Sequence, residues 1–243
     1  MIVFVHGVPE TAAIWREVQG LLGRESVALS LPGFGGPRPD GFTATKDAYI
    51  DWLVGELDRI GQPVDLVGHD WGAILTFRVA LAFGDHLRSW AADVGNLLHP
   101  DYVWHDFAKL WQTPGDGEAF IGASNAQPAE ERAAGYEMLG VPAAGALEMA
   151  KSSNLTMGGC ILDLYRSATP NPHAAWGPLA PTSAPGLVLH ATGDPFSDEP
   201  KARAVAEAVG AGFAPIEGAG HFWPYQEPAK GAEVLEAFWA SLD

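Results

Sequence analysis

Residues 64–72 read Val-Asp-Leu-Val-Gly-His-Asp-Trp-Gly, and this stretch decides the fold of the 243-residue chain. The run Val64–Val67 is mostly apolar, which predicts a buried strand. A helical pattern follows from Trp71 to Phe83, so Gly68 and Gly72 flank a tight turn between a strand and a helix. A strand that passes through such a turn into a helix is the repeating unit of parallel α/β sheets.

The same alternation extends to both sides of this stretch. Strand patterns occur at Ile2–Val5, Val27–Leu31, Val64–Val67, Leu87–Val94, Leu187–His190 and Ala211–Ile216, and helical patterns near Ala13–Leu22 and at Lys46–Ile60, Trp71–Phe83, Lys201–Val209 and Ala229–Leu242. Residues 98–178 hold helical stretches, aromatic residues and Pro/Gly breaks without a clear strand. We therefore predict an α/β core of residues 1–97 and 179–243, with a mostly parallel sheet flanked by helices, and a helical cap inserted at 98–178.

Composition excludes several classes of partner. The net charge of −16 repels phosphate, which argues against nucleic acid and anionic membranes and favours a small neutral organic substrate. The single cysteine, Cys160, cannot form an intramolecular disulfide, and no basic-then-apolar signal precedes the first strand, so we expect a cytoplasmic protein. No run of about 18 apolar residues predicts a membrane span. No metal or organic cofactor is predicted.

Asp70 occupies the centre of the Gly-His-Asp-Trp-Gly turn, in the strand–turn–helix context of a nucleophile elbow. A carboxylate that attacks an acyl carbon would form a reactive anhydride, whereas attack on an sp³ carbon forms an ordinary alkyl ester. Asp70 therefore points to epoxides or alkyl halides as substrates. An Asp that only caps the following helix is the alternative, and the two flanking glycines after a buried strand favour the nucleophile.

Two further motifs supply groups that can hydrolyse such an ester. His-Gly-Val-Pro-Glu at residues 6–10 follows the first strand, and the backbone N–H groups of Val8 and Trp71 are predicted to form the oxyanion hole. Gly-Ala-Gly-His-Phe at residues 218–222 surrounds His221 with small residues, which leave room for a mobile imidazole and a water. We therefore predict that His221 is the general base.

The third group is an acid that orients His221. Asp194 lies in Thr-Gly-Asp-Pro at residues 192–195, just past the strand Leu187–His190, and α/β sheets carry their sites at the carboxyl ends of strands. A turn residue before proline is the purely structural role for Asp194, and Asp198 and Asp93 are the competing acids. We favour Asp194.

Together these residues resemble the epoxide hydrolase and haloalkane dehalogenase branch of the α/β-hydrolase superfamily. The resemblance runs from the His-Gly turn at residues 6–7 to Gly220-His221 and covers nearly the whole chain. It implies the α/β-hydrolase fold and the chain order nucleophile, acid, histidine, which Asp70, Asp194 and His221 follow. Some members take the acid from the end of the preceding core strand, which keeps Asp93 open as an alternative.

Epoxide hydrolases of this family protonate the epoxide oxygen with cap tyrosines, one of them in a Tyr-Arg pair on the last cap helix. Leu-Tyr-Arg at residues 164–166 is similar to that segment, so the resemblance implies that Tyr165 is the acid. Residues 110–115 are similar to the segment that carries the second tyrosine, but Leu110 stands at that position. Tyr102, Tyr136 and the indole of Trp111 are the alternative second donors.

Haloalkane dehalogenases hold the departing halide between the Trp after the nucleophile, matched by Trp71, and a second donor that is often an Asn or Gln in the His-Gly-x-Pro turn. Val8 stands at that turn position and cannot donate from its side chain, which favours epoxides. Fluoroacetate dehalogenases have an Arg after the nucleophile, where this chain has Trp71. The residues predicted to bind substrate are Trp71, Trp111 and Tyr136.

The position of the His-Gly turn departs from the family pattern. In the family this turn follows the third strand, but here it follows the first predicted strand, so we expect two edge strands to be missing and a sheet of about six strands. An unpaired edge leaves open a homodimer that covers it.

The function predicted from the sequence is the hydrolysis of epoxides to vicinal diols through an alkyl ester on Asp70. Three alternatives stay open: a haloalkane dehalogenase with the same Asp-His-Asp triad, a carboxylesterase-like or lactonase-like hydrolase, and a binding protein on the same fold. Binding proteins on this fold usually lose a triad member, and all three positions are filled here, so a binding protein is the least favoured alternative.

Overall fold

A computed structural model of the protein describes residues 1–242. Its strands are β1 (Ile2–Val5), β2 (Ser26–Leu29), β3 (Val64–Gly68), β4 (Leu87–Ala92), β5 (Gly186–Ala191) and β6 (Gly212–Ile216). They form one six-stranded sheet in the order β2-β1-β3-β4-β5-β6, and each neighbouring pair is parallel. The prediction of a mostly parallel sheet of about six strands is confirmed.

Helices connect the strands and cover both faces of the sheet. They are α1 (Arg16–Leu21), α2 (Lys46–Ile60), α3 (Trp71–Ala82), α4 (Asp106–Gln112), α5 (Asp116–Asn125), α6 (Ala129–Met138), α7 (Ala143–Ser152), α8 (Leu155–Ser167), α9 (Glu199–Val209), α10 (Trp223–Gln226) and α11 (Pro228–Ala240), with short 3₁₀ turns at Ala12–Trp15, Gly84–His86 and Gly95–Leu98. None of the helices in the described part of the chain is long and apolar enough to cross a membrane.

The bounds of α2 illustrate how local sequence sets a helix. Thr45 accepts a hydrogen bond from the backbone N–H of Ala48 and so caps the N-terminus, and Gly61 ends the helix in the left-handed conformation with φ 71°. Tyr49, Leu53 and Leu57 recur at helical spacing and are buried. These signals are all local, and the predicted bounds of this helix agree with the structure.

The two faces of the sheet have separate hydrophobic cores. Successive side chains of β1 alternate between them: Val3 and Val5 join the cluster that contains α2, α3 and α9, whereas Ile2 and Phe4 join the cluster around Trp15 and Trp223. A strand that is buried on both faces has no polar alternation, which explains the continuous apolar run in this segment.

The strand register brings the ends of three strands to one edge of the sheet. Val5 pairs with Gly68, and Gly68 pairs with Ala92, so β1, β3 and β4 end side by side. The segments that follow these strands therefore begin at the same level. This is the edge at which parallel α/β sheets carry ligand sites.

Helices α4 to α8 lie between β4 and β5, within the segment predicted as a cap, and the structure has no strand there among the described residues. The indole of Trp104 donates to the carbonyl of Ala168 at 2.8 Å and so joins the two ends of the segment to each other. The ammonium of Lys46, in the core, donates to the carbonyls of Pro172 and Ala174 and ties the segment to the core. The exact division of the chain into core and cap stays a prediction.

Two strands end earlier than their sequence pattern predicts. β2 ends at Leu29, and the backbone N–H of Leu31 donates instead to Nε2 of His6. β4 ends at Ala92, and Val94 adopts a left-handed conformation with φ 43°. In both cases a tertiary contact or a turn near the site ends the strand, although the side chains remain apolar.

Candidate active site

Asp70 lies in the turn between β3 and α3 with φ 51° and ψ −118°. Such a backbone conformation costs a non-glycine residue about 1–3 kcal/mol and is found where the surrounding structure enforces it. A Cβ on Gly68 would overlap the carbonyl of Gly72, and a Cβ on Gly72 would overlap the carbonyl of Val5. Both glycines are therefore required by close backbone approach, and together they hold the Asp70 carboxylate at the end of the sheet.

The turn after β1 packs directly against this carboxylate. The backbone N–H of Val8 donates to Oδ1 of Asp70 at 2.8 Å, and a Cβ on Gly7 would overlap the Asp70 side chain. The N–H of Trp71 is the first of α3, where no intrahelical carbonyl is available to it. Of the two N–H groups predicted as an oxyanion hole, that of Val8 thus contacts Asp70, and that of Trp71 belongs to the next residue of the chain.

His221 and Asp194 meet at the same edge from two other loops. Nδ1 of His221 lies 2.9 Å from Oδ2 of Asp194, and Nε2 of His221 lies 3.9 Å from Oδ2 of Asp70. The second oxygen of Asp194, Oδ1, accepts from the backbone N–H of Phe196 at 2.8 Å. A backbone bond from Gly193 to Ala219 joins the loops that carry the acid and the histidine. The structure therefore brings Asp70, His221 and Asp194 together in the order that a triad requires.

Burial and the neighbouring charge oppose each other at both Asp70 and His221, and the pKa of each group is raised. Burial raises the pKa of Asp70 to about 6, although the charge of His221 opposes the rise. Burial alone would lower the pKa of His221, but the charge and hydrogen bond of Asp194 outweigh it and raise that pKa above its ordinary value. The pKa of Asp70 therefore lies close to neutral pH, and the pKa of His221 is shifted by the partner expected of a base; such perturbed groups in a cavity are typical of active sites.

Asp93, one of the alternative acids, belongs to a different network. Its Oδ2 lies 2.5 Å from Nδ1 of His69 and accepts from the indole of Trp223 at 2.7 Å, and its Oδ1 accepts from the backbone N–H of Asp70. It thus holds the elbow in place. On the other side of the same ring, Oε1 of Glu10 lies 3.1 Å from Nε2 of His69.

This second network carries strong charges inside the protein. Burial alone would lower the pKa of His69, but Asp93 and Glu10 raise it well above its ordinary value. Burial would raise the pKa of Asp93 and of Glu10, but His69 lowers both below their ordinary values. His69 therefore lies between two carboxylates that favour its charged form, and its ring lies 5.0 Å from that of His221.

Asp198, the other alternative acid, lies apart from the triad contacts. Its side chain accepts from the backbone N–H of Lys201 and caps α9, and it also pairs with the Lys201 ammonium at 3.1 Å. This is a local helix-capping role.

A cavity of about 380 Å³ lies between Asp70 and the helices α4, α5, α6 and α8. Its lining includes the predicted site residues Val8, Asp70, Trp71, Trp111, Tyr136, Tyr165 and His221, together with Tyr102, Trp104, His105, Phe196 and Phe222. A volume of this size lies at the lower end of the range for small-molecule sites. Leu110 is half-buried and is not part of the lining.

Two tyrosines of the lining lie close enough to Asp70 to sense its charge. Burial and then the negative charge of Asp70 raise the pKa of Tyr165 well above its ordinary value, and the same two causes raise that of Tyr102. Both hydroxyls are therefore protonated at neutral pH. Tyr136, the other alternative, packs against Phe222 with ring centroids 6.2 Å apart, and burial raises its pKa to about 12 with Glu10 as the next cause.

Two indole N–H groups of the lining, those of Trp71 and Trp111, are buried and lack a well-formed hydrogen bond within residues 1–242. Both rings contact Tyr165, with centroids 5.3 Å and 4.9 Å away. Buried N–H groups without a partner are rare in native proteins. Here they offer two donors to a ligand in the cavity.

Sequence reasoning did not single out Glu10, His69 or His105. Glu10 and His69 lie inside the two motifs that were recognised, so their position in those motifs was the available signal. Nδ1 of His105 accepts from the backbone N–H of Ala108, which places the ring proton on Nε2, and burial lowers the pKa of His105 to about 4. A histidine that caps a cap-segment helix has no distinguishing pattern in the sequence.

Fold and site together define a class: a parallel α/β sheet with a strained carboxylate elbow, a His-Asp pair and a helical segment over the cavity. A sequence model of the Alpha/beta hydrolase family matches residues 2–234, and the chain belongs to that family.

Curated relatives fall in two groups of this family. "Epoxide hydrolase 2" of Siraitia grosvenorii is 35% identical over 96 residues, which cover 36% of this chain and 30% of that protein. A "Haloalkane dehalogenase" of Bradyrhizobium diazoefficiens is 28% identical over 148 residues, which cover 52% of this chain and 47% of that protein. The matches therefore span less than half the length of either relative. The predicted resemblance to this branch is confirmed.

Among solved structures, epoxide hydrolase VrEH1 from Vigna radiata is similar with a TM-score of 0.75 and 20% sequence identity, over 99% of this chain and 90% of that one. Identity at this level shows the shared fold. The prediction of an α/β-hydrolase fold is confirmed.

Proposed function

We propose that the protein is a hydrolase that opens epoxides to vicinal diols through a covalent ester on Asp70. The observation that carries this proposal is the Asp70 carboxylate itself, with Oδ1 held by the Val8 N–H, Oδ2 facing His221, and two protonated tyrosines in the cavity beside it. The epoxide hydrolases among the relatives support the same substrate class.

In the first step, Oδ2 of Asp70 attacks an epoxide carbon and the carbon–oxygen bond of the ring breaks. The oxygen takes the hydroxyl proton of Tyr165, with Tyr102 as the second donor. Ester formation removes the negative charge of Asp70, which is one of the causes that raise both tyrosine pKa values. The tyrosines therefore become stronger acids as the epoxide opens.

In the second step, Nε2 of His221 takes a proton from a water, and the resulting hydroxide attacks the ester carbonyl. The N–H groups of Val8 and Trp71 stabilise the oxyanion. Its collapse breaks the ester bond, and the acid formed on Asp70 gives its proton to the leaving alkoxide, which returns the carboxylate and releases the diol. The proton on His221 passes through solvent to the Tyr165 phenolate and restores both groups. Ester formation also favours the neutral, basic form of His221. At 3.9 Å and an effective dielectric constant of about 20, the charge of Asp70 stabilises the charged form of His221 by about 4 kcal/mol, and this stabilisation is absent in the ester.

Dehalogenation of alkyl halides is the second candidate function. The buried, unpartnered indole N–H groups of Trp71 and Trp111 favour it, because a departing halide accepts hydrogen bonds from such donors. The haloalkane dehalogenases among the relatives agree with it. The nucleophile, base and acid are the same in both reactions, and only the leaving group differs.

The test is to trap the ester in a His221→Gln variant and to weigh the intact protein. An epoxide that reacts adds the mass of the whole epoxide, whereas a haloalkane adds only its alkyl group and releases halide. We expect adducts with terminal and aryl epoxides, and none when Asp70→Asn is added to the variant. Adducts with bromoalkanes alone would favour the second candidate, and the absence of any adduct across both panels would refute the carboxylate nucleophile.

A further inference from the structure

Two buried side chains that the proposed reaction does not use, those of Glu10 and His69, form a cluster with His221 of the triad. One nitrogen from each ring of His69 and His221 and one carboxylate oxygen of Glu10 lie within 4.8 Å of one another. We propose that Glu10, His69 and His221 form a binding site for a divalent ion of the zinc type, which inhibits the enzyme by occupying its base.

The donor set matches the chemistry of such an ion. Two imidazole nitrogens and one carboxylate oxygen are ligands that Zn²⁺ takes in tetrahedral sites, with a fourth position left for water. Imidazole nitrogen suits zinc, copper and nickel better than it suits calcium or magnesium, which prefer oxygen. The cluster is therefore selective for the transition metals by ligand type.

The surroundings of both rings match as well. Nδ1 of His69 faces Asp93 at 2.5 Å, and Nδ1 of His221 faces Asp194 at 2.9 Å. Metal-binding histidines almost always donate their second ring N–H to a carboxylate or carbonyl in this way, because that bond orients the ring and makes the ligating nitrogen more basic. Since both Nδ1 atoms are engaged, the two Nε2 atoms are the ones left to bind an ion.

The contact between Glu10 and His69 is a buried ion pair without a well-formed hydrogen bond. Oε1 of Glu10 lies 3.1 Å from Nε2 of His69, yet neither atom makes a well-formed hydrogen bond in the described part of the chain, and both residues are fully buried. The other oxygen of Glu10 is used by the backbone N–H of Gly7 at 3.0 Å. A bound cation would give both atoms a coordination bond in place of this imperfect contact.

The charge balance favours a cation. Four carboxylates, those of Glu10, Asp70, Asp93 and Asp194, surround the two imidazoles. Even with both rings charged the group keeps two negative charges, in a protein whose net charge is −16. A divalent ion therefore meets a negative potential both at a distance and at the site.

Inhibition follows from the identity of one ligand, and this part rests on the proposed function. A nitrogen that binds a metal cannot accept a proton from water, so His221 would no longer hydrolyse the ester. Ester formation requires Asp70 and the tyrosines, which are not ligands. The metal would therefore stop the second step and leave the alkyl ester on Asp70.

Binding is tested with Co²⁺ alone, on protein freed of metal with EDTA and without substrate. The visible absorption of four-coordinate Co²⁺ reports the site, and Zn²⁺ should displace it. We expect one Co²⁺ per chain, and an affinity at least about 100-fold lower in Glu10→Gln and in His69→Gln, since even the residues behind the ligands contribute 10- to 100-fold. His86→Gln is the matched control, because His86 lies directly before β4, at the end of the sheet opposite to the site, and its ring is 3.9 Å from Asp58. This variant should bind Co²⁺ as the native protein does.

Circular dichroism checks that each variant is folded, and His221→Gln gives a third ligand variant if one of the others is not. Equal Co²⁺ affinity in the native protein and in every folded ligand variant would place the ion elsewhere and overturn the site. For the inhibition, Zn²⁺ should lower diol release by native enzyme and produce the ester adduct by mass. Bound Zn²⁺ without any loss of turnover would overturn that half alone. A failure of the proposed function is distinguishable, because it would appear as no adduct in the metal-free His221→Gln trap.

Discussion

Replacing Asp194 with Asn exchanges one oxygen for an NH₂ group in the side chain that orients His221. Oδ1 of Asp194 accepts from the N–H of Phe196, and Oδ2 faces Nδ1 of His221. An Asn can keep both contacts only if its oxygen faces Phe196 and its NH₂ donates to Nδ1. His221 is then forced into the tautomer that carries its proton on Nε2, where it cannot act as a base.

The size of the effect follows from these contacts. The opposite orientation of the substituted amide would leave the N–H of Phe196 facing an NH₂, at a cost of about 1–3 kcal/mol. The productive tautomer is therefore reduced about 5- to 150-fold. Loss of the carboxylate charge beside the imidazolium adds to this, and a buried Asp-to-Asn change behind a catalytic histidine costs about 10⁴-fold in total. We expect steady-state turnover of an epoxide to fall about 10³- to 10⁴-fold.

The assay separates the two steps. Rapid quenching and intact mass should show that Asp194→Asn still forms the ester, because Asp70 is unchanged, and that the ester then persists. Asp198→Asn is the matched control, since Asp198 caps α9, and its turnover should stay within about threefold of the native value, because the loss of a helix cap affects mainly stability. A turnover of Asp194→Asn within tenfold of native, or an equal loss in Asp198→Asn, would refute the assignment of Asp194 as the acid.

Three further outcomes are expected. Burial raises the pKa of Asp70 to about 6, and only the carboxylate attacks. The single-turnover rate of ester formation should therefore fall about tenfold per pH unit below pH 6 and level off above pH 7. A rate that is flat to pH 5 would contradict this. In Gly7→Ala the new methyl group overlaps the Asp70 side chain, so a urea titration should show that the free energy of unfolding falls by about 1–3 kcal/mol, and turnover should fall at least tenfold. Gly20→Ala, with open space around its Cβ position, should change neither quantity. Tyr165→Phe and Tyr102→Phe should each slow ester formation from epoxides by about 10²- to 10⁴-fold. Adduct formation from bromoalkanes should change less than tenfold, since a halide leaves without a proton. Equal losses with both substrate types would argue against tyrosine acids.

Much of the secondary structure was predictable because its signals are local. The helix Lys46–Ile60 has its cap at Thr45 and its stop at Gly61, both written in the sequence next to it. The strand patterns at Val27–Leu31 and Leu87–Val94 were right in kind but too long. Their final residues are apolar, and nothing local distinguishes an apolar residue in a strand from one that packs in a turn beside a site.

Some features of the site were likewise predictable from local sequence, and others were not. The Gly-His-Asp-Trp-Gly turn predicted the elbow because the close approach of Gly68 and Gly72 to neighbouring carbonyls is a backbone requirement that only glycine meets. The sequence favoured Asp194 but left Asp198 and Asp93 open as the acid, since all three follow strands or turns of similar character. The structure separates them by their partners, which are His221, Lys201 and His69 respectively.

By itself, the sequence determined the parallel α/β architecture, the strained carboxylate elbow and the histidine that follows it late in the chain. These depend on short-range patterns of apolar, glycine and capping residues. Only the tertiary structure decided which carboxylate orients His221, that His69 lies between Glu10 and Asp93, and that Tyr102 and Tyr165 share the cavity above Asp70. The His69–Asp93 and His221–Asp194 pairs join residues 24 and 27 positions apart. They form because β3, β4, β5 and β6 are neighbouring parallel strands, whose carboxyl ends lie at one edge of the sheet.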